Sequence, residues 1–296
     1  MNEDTKWTYL NQEEIATKLT EKGIHISRFT VRTLLKIHNF KKRKMDKCKT
    51  IKNVADRDKQ FKNIDRLREE FIKEGEPVIS MDSKKKEPFG GLFRVGDVYT
   101  QKPLEVYDHD FISLRTGLVV PHGIYDIVQN KAFINLNSSK DTAEFVYDSL
   151  KLWWQEYGNI QYPNVKKLLI LCDGGGSNGY RHYVFKEAVQ KLANSIGISI
   201  RIAHYPSYCS KYNPIEHQVF PYVTKALDGI VLDKVETVKK LVETRAKTKT
   251  GLKVFSNIID NIYQTGKKAT DNFIENMPIV FDKFLPKWNY KAVPEF

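Results

Sequence analysis

The sequence predicts an α/β fold, a mixed sheet with helices on both faces, behind a small all-α segment. Three observations predict it. Residues 1–76 are rich in Lys, Arg and Glu, and their apolar positions recur at helical spacing. From Pro77 onward, apolar runs rich in β-branched residues alternate with helical patterns. Acidic residues stand where the chain leaves two of those runs, and another opens the helix that follows a third. The expected organisation is a helical helix-turn-helix DNA-binding segment over 1–76, an α/β domain over 77–250, and a C-terminal extension over 251–296 that packs on the core.

The elements follow in order. NQEEIATKLTEKG reads as a helix capped by Asn11, with Glu14 completing a capping box and Gly23 ending it. SRFTVRTLLKIHNF reads as a second helix, with Ser27 as cap and Val31, Leu34 and Leu35 on the buried side. Two short helices around a tight Gly-containing turn outline a helix-turn-helix. A basic run, KIHNFKKRKMDKCK, follows at once. It is either a solvated charge run or a phosphate contact that releases counterions. DRDKQFKNIDRLREEFIKEG is a third, amphipathic helix, stopped by Gly75 and Pro77.

Five strands come next: PVISMD, then GLVVPHGIYDIV and KAFINLN as a pair joined near Gln129 and Asn130, then KKLLILCD and ISIRIAHYP. KKLLILCD is apolar almost throughout, as a strand buried on both faces must be. Helices are expected over DTAEFVYDSLKLWWQEYG (cap Asp141, stop Gly158), YRHYVFKEAVQKLANSIG (stop Gly197), NPIEHQVFPYVTKAL (kinked at Pro221) and KVETVKKLVETRAKTKTG. At least one of Trp153 and Trp154 is expected in the core, leaving the other free for an exposed contact.

Composition narrows the function. The 296 residues carry 48 Lys and Arg against 36 Asp and Glu, a net charge of +12, which favours a polyanionic partner. No apolar stretch approaches the ~20 residues of a membrane span, and the acidic, polar start is not a secretory signal. A cytoplasmic protein without a membrane partner is expected. Cys48, Cys172 and Cys209 are odd in number and widely spaced, so neither a disulfide framework nor a zinc ribbon is expected.

The chemistry is sought at strand ends. Asp82 ends the first buried strand, Asp173 ends LLILC, and Glu216 sits in the first turn of the helix after ISIRIAHYP. Hard divalent cations take carboxylate oxygens, and three acids brought together would repel one another without one. Two such ions support in-line phosphoryl displacement. Each acid also has a plainer explanation. Asp82 before SKKK and Asp173 before GGG could start turns, and Glu216, three residues after the N-cap Asn213, could belong to a capping box.

GGGSNG at 174–179 matches a dinucleotide-binding pattern, but no acid ends the next strand. It also contains G-x-S-x-G around Ser177, but only His204 and His217 come late enough to follow an acid such as Glu187, and no histidine lies beyond 217. Backbone room beside Asp173 accounts for the glycines better. The seven histidines show no metal spacing, and His217 is expected at the surface or in packing.

HYPSYCSKYNPIEH resembles the segment of Tc/mariner-like and related bacterial transposases that presents the third catalytic acid. VISMDSKKKE, VPHGIYDIVQN, DTAEFVYDSLKLWWQEYG, LLILCDGGGSNGYR and KTKTGLKV together resemble the ISAzo-type insertion-sequence transposases, over about Trp7 to Tyr290. The resemblance implies an RNase H-like fold with a five-stranded mixed sheet and a DDE site made of Asp82, Asp173 and Glu216. Those acids would bind Mg2+, with Mn2+ substituting. It implies cleavage of element ends and strand transfer into target DNA, by phosphoryl transfer without a covalent enzyme intermediate. The DNA contacts expected are Arg28, Arg32, Lys41, Lys42, Arg43 and Lys44 in the N-terminal segment and Lys84, Lys85 and Lys86 near Asp82. A homo-oligomer on DNA is expected, since two ends must be handled. Family members usually carry a longer stretch ahead of this block, so a fragment, a truncated element copy or a short natural version is expected, with a whole catalytic core and end recognition weakened or lost. Three rival readings stay open: a helix-turn-helix regulator without catalysis, an RNase H-like nuclease that cuts without rejoining, and an inactive remnant.

Overall fold

The computed structural model describes residues 6–43, 54–248 and 251–295. The chain divides into two compact units, Met1–Lys52 and Asn53–Phe296.

In the first unit, α1 (Gln12–Glu21) starts at Asn11, whose side chain accepts from the Glu13 and Glu14 N–H groups while Glu14 reaches back to the Asn11 N–H. Those bonds satisfy amides that a helix start leaves without partners. Helix α2 (Arg28–Ile37) is capped by Ser27, which accepts from Thr30 N. The two helices pack on each other. Val31 is buried, but Leu34, expected on the same side, is 41% exposed. A pair of short helices has only one inner stripe to fill, and Leu34 lies off it.

In the second unit, α3 (Arg57–Lys73) comes first. Then come β1 (Val78–Ser83), β2 (Glu87–Phe89), β3 (Gly117–Asp126), β4 (Lys131–Asn137), α4 (Ala143–Trp153), and α5 (Asn159–Gln161) after a π turn. They are followed by β5 (Lys167–Cys172), α6 (Tyr183–Ile196), β6 (Ser199–His204), α7 (Pro214–Gln218), α8 (Phe220–Ala226) and α9 (Val235–Arg245). The chain closes with β7 (Lys253–Ile258), α10 (Asp271–Glu275), β8 (Val280–Phe281) and β9 (Asn289–Ala292).

The sheet runs β7-β4-β3-β1-β5-β6-β9-β8, with β2 paired to β3. Its middle is the expected five-stranded RNase H-like arrangement: β4, β3 and β1 are antiparallel neighbours, and β1, β5 and β6 run parallel. The C-terminal residues add strands at both edges, β7 beside β4 and β9 beside β6. They close the edges that the five-stranded core would leave unpaired.

Alternation along the strands sends side chains to two cores. Ile79, Met81, Leu168, Ile170 and Cys172 meet α4, α6 and α10 on one face. On the other, Val78, Leu169 and Leu171 meet Ile64, Leu67 and Phe71 of α3. Val119, Ile134 and Leu136, on that side too, meet α7, α8 and α9. Helix α3 therefore belongs to the sheet unit, and the division lies at Lys52/Asn53 instead of near 76. Burial of its apolar stripe on the strands decides this, and an amphipathic pattern does not reveal which surface its stripe will meet.

Other departures are local. Thr142, not Asp141, caps α4, because its hydroxyl accepts from Phe145 N. Gly158 does not end the helix there; a π turn carries the chain through it into α5. Both Trp153 and Trp154 are buried, so neither offers an exposed contact. Gly197 ends α6 in the left-handed conformation, as expected. The kink expected at Pro221 is a full break at Val219 that separates α7 from α8.

Candidate active site

Strands β1 and β5 lie parallel with Met81 beside Cys172. One residue further on, both strands present an acid, Asp82 and Asp173. Because Met81 and Cys172 enter the α4–α6 core, alternation turns the next residues toward the opposite face, where α7 packs. Helix α7 packs on β1 and β3. Gly123, the register partner of Asp82, permits the approach. A Cβ there would stand 2.6 Å from Ile215 Cδ1 and 2.7 Å from Phe220 Cε1.

The start of α7 is built differently from the expected cap. Asn213 occupies the N-cap position with Pro214 behind it, but its side chain makes no capping bond. It is fully buried, accepts from Ser80 Oγ at 2.5 Å and donates to Met81 O at 3.1 Å. No capping box forms, so that explanation of Glu216 fails. The Glu216 carboxyl instead acts on Asp82 through its charge.

The three acids interact. Burial, then the charges of Asp173 and Glu216, push Asp82 up to about 8, against the stabilising Ser83 N–H at 2.8 Å. Burial and Glu216 push Asp173 up to about 6, with the Asn213 amide opposing as a donor. Asp173 Oδ1 is buried without a hydrogen-bond partner. Such an oxygen is costly unless something positive meets it. Among the described residues, no group of three or more His, Cys, Asp or Glu stands close enough together to hold a metal ion. Asp82, Asp173 and Glu216 are within electrostatic reach of one another.

The glycine loop beside Asp173 is open. A Cβ at Gly175 or Gly176 would meet nothing within 4 Å. The loop runs into a 3-10 turn at Gly176–Asn178, well before α6, so it offers no phosphate a helix start. Ser177 Oγ is bonded to Asn178 Oδ1. His204 lies buried, with Nδ1 against Asp173 O and Nε2 against the Tyr290 hydroxyl.

A family model described as "Rhodopirellula transposase DDE domain" matches residues 1–294. The chain belongs to this transposase family. It is a DDE-type DNA transposase. No curated protein matches the sequence. Among solved structures, the transposase is similar to a Mos1 transposase paired-end complex with the left transposon end, at 17% identity and TM-score 0.48; the match covers 83% of this chain and 68% of that one. A Mos1 mariner paired-end complex with Mn is similar at 16% identity and TM-score 0.49, covering 83% and 69%. A pre-cleavage Mos1 transpososome is similar at 14% and 0.47, covering 84% and 75%.

The basic residues of the transposase fall into three groups. Arg28 and Arg32 are exposed on α2, and Arg28 lies over the Phe29 ring at 5.0 Å. Lys41, Lys42 and Arg43 are exposed just after it, while Lys44 and Cys48 lie outside the described residues. Near Asp82, Lys85 and Lys86 are exposed, while Lys84 is already paired. Its ammonium is buried against Glu87, which also binds Arg94 at 2.7 Å. Burial acts to raise the Glu87 pKa, but the two cations outweigh it and hold the carboxyl below its ordinary value.

A cleft of about 790 Å3 adjoins this group, lined by Lys85, Lys86, Arg115, Phe93, Ile112 and Glu216 among others. Arg94 and Arg115 were not foreseen from the sequence, because they sit in the irregular segment between β2 and β3, which has no periodic signal. His217 is exposed, as expected. Cys172 and Cys209 are free. No helix among the described residues is long and apolar enough to cross a membrane.

Proposed function

We propose that Asp82, Asp173 and Glu216 are the catalytic acids of this transposase, and that they hold divalent cations, Mg2+ with Mn2+ able to substitute. The reading rests above all on one observation: Asp82 and Asp173 end parallel strands side by side, and Glu216, on a helix docked on the same face, is close enough for its charge to act on both. The donor set suits such ions in its chemistry. It is all oxygen, partly buried, and includes the unpartnered Asp173 Oδ1. When bound, such cations supply charge stabilisation for an in-line phosphoryl transfer.

The chain's own residues do the rest. Asp82 and Asp173 present oxygens from strand ends held in register, and Glu216 closes the third side from α7. Lys85, Lys86 and Arg115 line the cleft beside Glu216 and would meet DNA phosphates there. The open backbone at Gly175 and Gly176 leaves room for a DNA strand beside Asp173. Arg28, Arg32, Lys41, Lys42, Arg43 and Lys44 would bind the duplex from the N-terminal unit. The substrate is then an insertion-sequence end, cut and joined to target DNA, with two copies of the chain acting on two ends.

Gel assays of end nicking in Mg2+ test this. Asp82→Asn, Asp173→Asn and Glu216→Gln should each bind end DNA as the parent does and lose cleavage. Cleavage by Asp82→Asn at the parental rate would favour a regulator that needs no acid cluster. A pre-cut end that the parent fails to join to target DNA would favour a nuclease that cuts without rejoining.

A further inference from the structure

Ser80, Asn213 and the Ile215 N–H form a closed hydrogen-bonded knot between β1 and the start of α7. Ser80 Oγ accepts from Ile215 N at 3.0 Å, so its one proton is free to go to Asn213 Oδ1 at 2.5 Å. That fixes the amide orientation: Nδ2 must face Met81 O, at 3.1 Å. Ser80 and Asn213 are both fully buried. On β1, Ser80 lies two residues before Asp82 and shares its face. On α7, Asn213 accepts from Glu216 N through its carbonyl at 3.0 Å. The amide also faces the Asp173 carboxylate as a donor. One uncharged side chain thus bonds the start of α7 to β1 and lies within electrostatic reach of Asp173, and it is not capping the helix on which it sits.

We infer that Asn213 is a positioning residue that ties the start of the Glu216 helix to the strand that carries Asp82, so that a cation gathers the three acids from a fixed starting arrangement. The inference rests on the proposed acid cluster. The chemistry suits asparagine in particular. The position needs an acceptor for Ser80 and a donor for Met81, without adding a fourth negative charge. Alanine provides neither, and leaves Ser80 and the Met81 carbonyl each short of a buried partner. Outer residues that orient ligands change metal affinity by about 10–100-fold when removed.

The test is Mn2+ binding to the full-length, DNA-free protein, followed by electron paramagnetic resonance, with circular dichroism as the check on folding. Asn213→Ala should fold and bind Mn2+ about 10–100-fold more weakly. Ser80→Ala should weaken binding in the same direction, and the double variant should be little worse than Asn213→Ala, because the two side chains act as one unit. A folded Asn213→Ala variant that binds Mn2+ as the parent does overturns the inference. If that variant does not fold, Ser80→Ala decides in its place: unchanged Mn2+ affinity overturns the inference, and weakened affinity supports it. Asp82→Asn separates this from failure of the underlying reading. Should Asp82→Asn also bind Mn2+ at parental affinity, the acid cluster itself is wrong and the inference falls with its premise.

Discussion

At the residue scale, Asp82 gives the sharpest expectation. Its proton affinity is raised from the ordinary 3.8 to about 8. Between those values the folded chain keeps a proton that the unfolded chain has released. The group's favourable contribution is therefore complete below about pH 4 and is lost as pH rises toward 8. Asp173, raised to about 6, acts in the same sense over the lower part of that window. His122 and His204, pushed down to about 4 by burial, act in the opposite sense, since unfolding lets them charge below their ordinary 6.5. Comparing Asp82→Asn with the parent cancels the histidines. In EDTA the variant should gain stability over the parent as pH rises from 5 to 8, by on the order of 1–3 kcal/mol, measured by thermal melts. A pH-independent difference would show that Asp82 is not buried beside other acids.

At the scale of elements, the docking of α7 and α8 on β3 depends on Gly123. Gly123→Ala places a methyl against Ile215 and Phe220, both side chains of the buried core. Overpacking of this kind costs about 1–3 kcal/mol. Glu216 moves with its helix, so cleavage should fall further than stability does. Parental cleavage in a folded Gly123→Ala variant would mean that Glu216 needs no close docking. Beside it, Glu87 holds Lys84 and Arg94 in a largely buried triad. Glu87→Ala strands two cations, a loss of about 3–5 kcal/mol for a broken buried pair, readable in urea melts. A loss below ~1 kcal/mol would place these groups in water instead.

At the scale of the whole molecule, the expectation concerns where the chain can be cut. Helix α3 buries Ile64, Leu67 and Phe71 against β1, β5 and β6. A fragment of residues 54–296 should therefore unfold cooperatively, with a melting temperature within a few degrees of the full chain. A fragment starting at 77, the boundary that composition suggests, uncovers Val78, Leu169 and Leu171 and should aggregate or unfold. Equal stability of both fragments would contradict the packing of α3. The longer fragment should also keep Mn2+ binding and lose end-specific DNA binding, because Arg28, Arg32 and Lys41–Arg43 are gone.

The sequence by itself determined the central architecture and the candidate acids. Five apolar runs gave the five core strands, because a strand buried on both faces must be apolar along its length. Asp82, Asp173 and Glu216 were legible because each lies at the end or start of such an element, and the Asn-Pro-Ile-Glu segment marks the last of them. Tertiary structure alone decided the rest. Ser80 and Asn213 are 133 residues apart, and nothing local in either segment says that they bond. The sheet-bound place of α3 and the edge strands β7 and β9 are likewise outcomes of long-range contact. Periodicity reports which side of an element is apolar. The partner that covers that side, or satisfies a buried polar atom, is chosen only when distant segments meet.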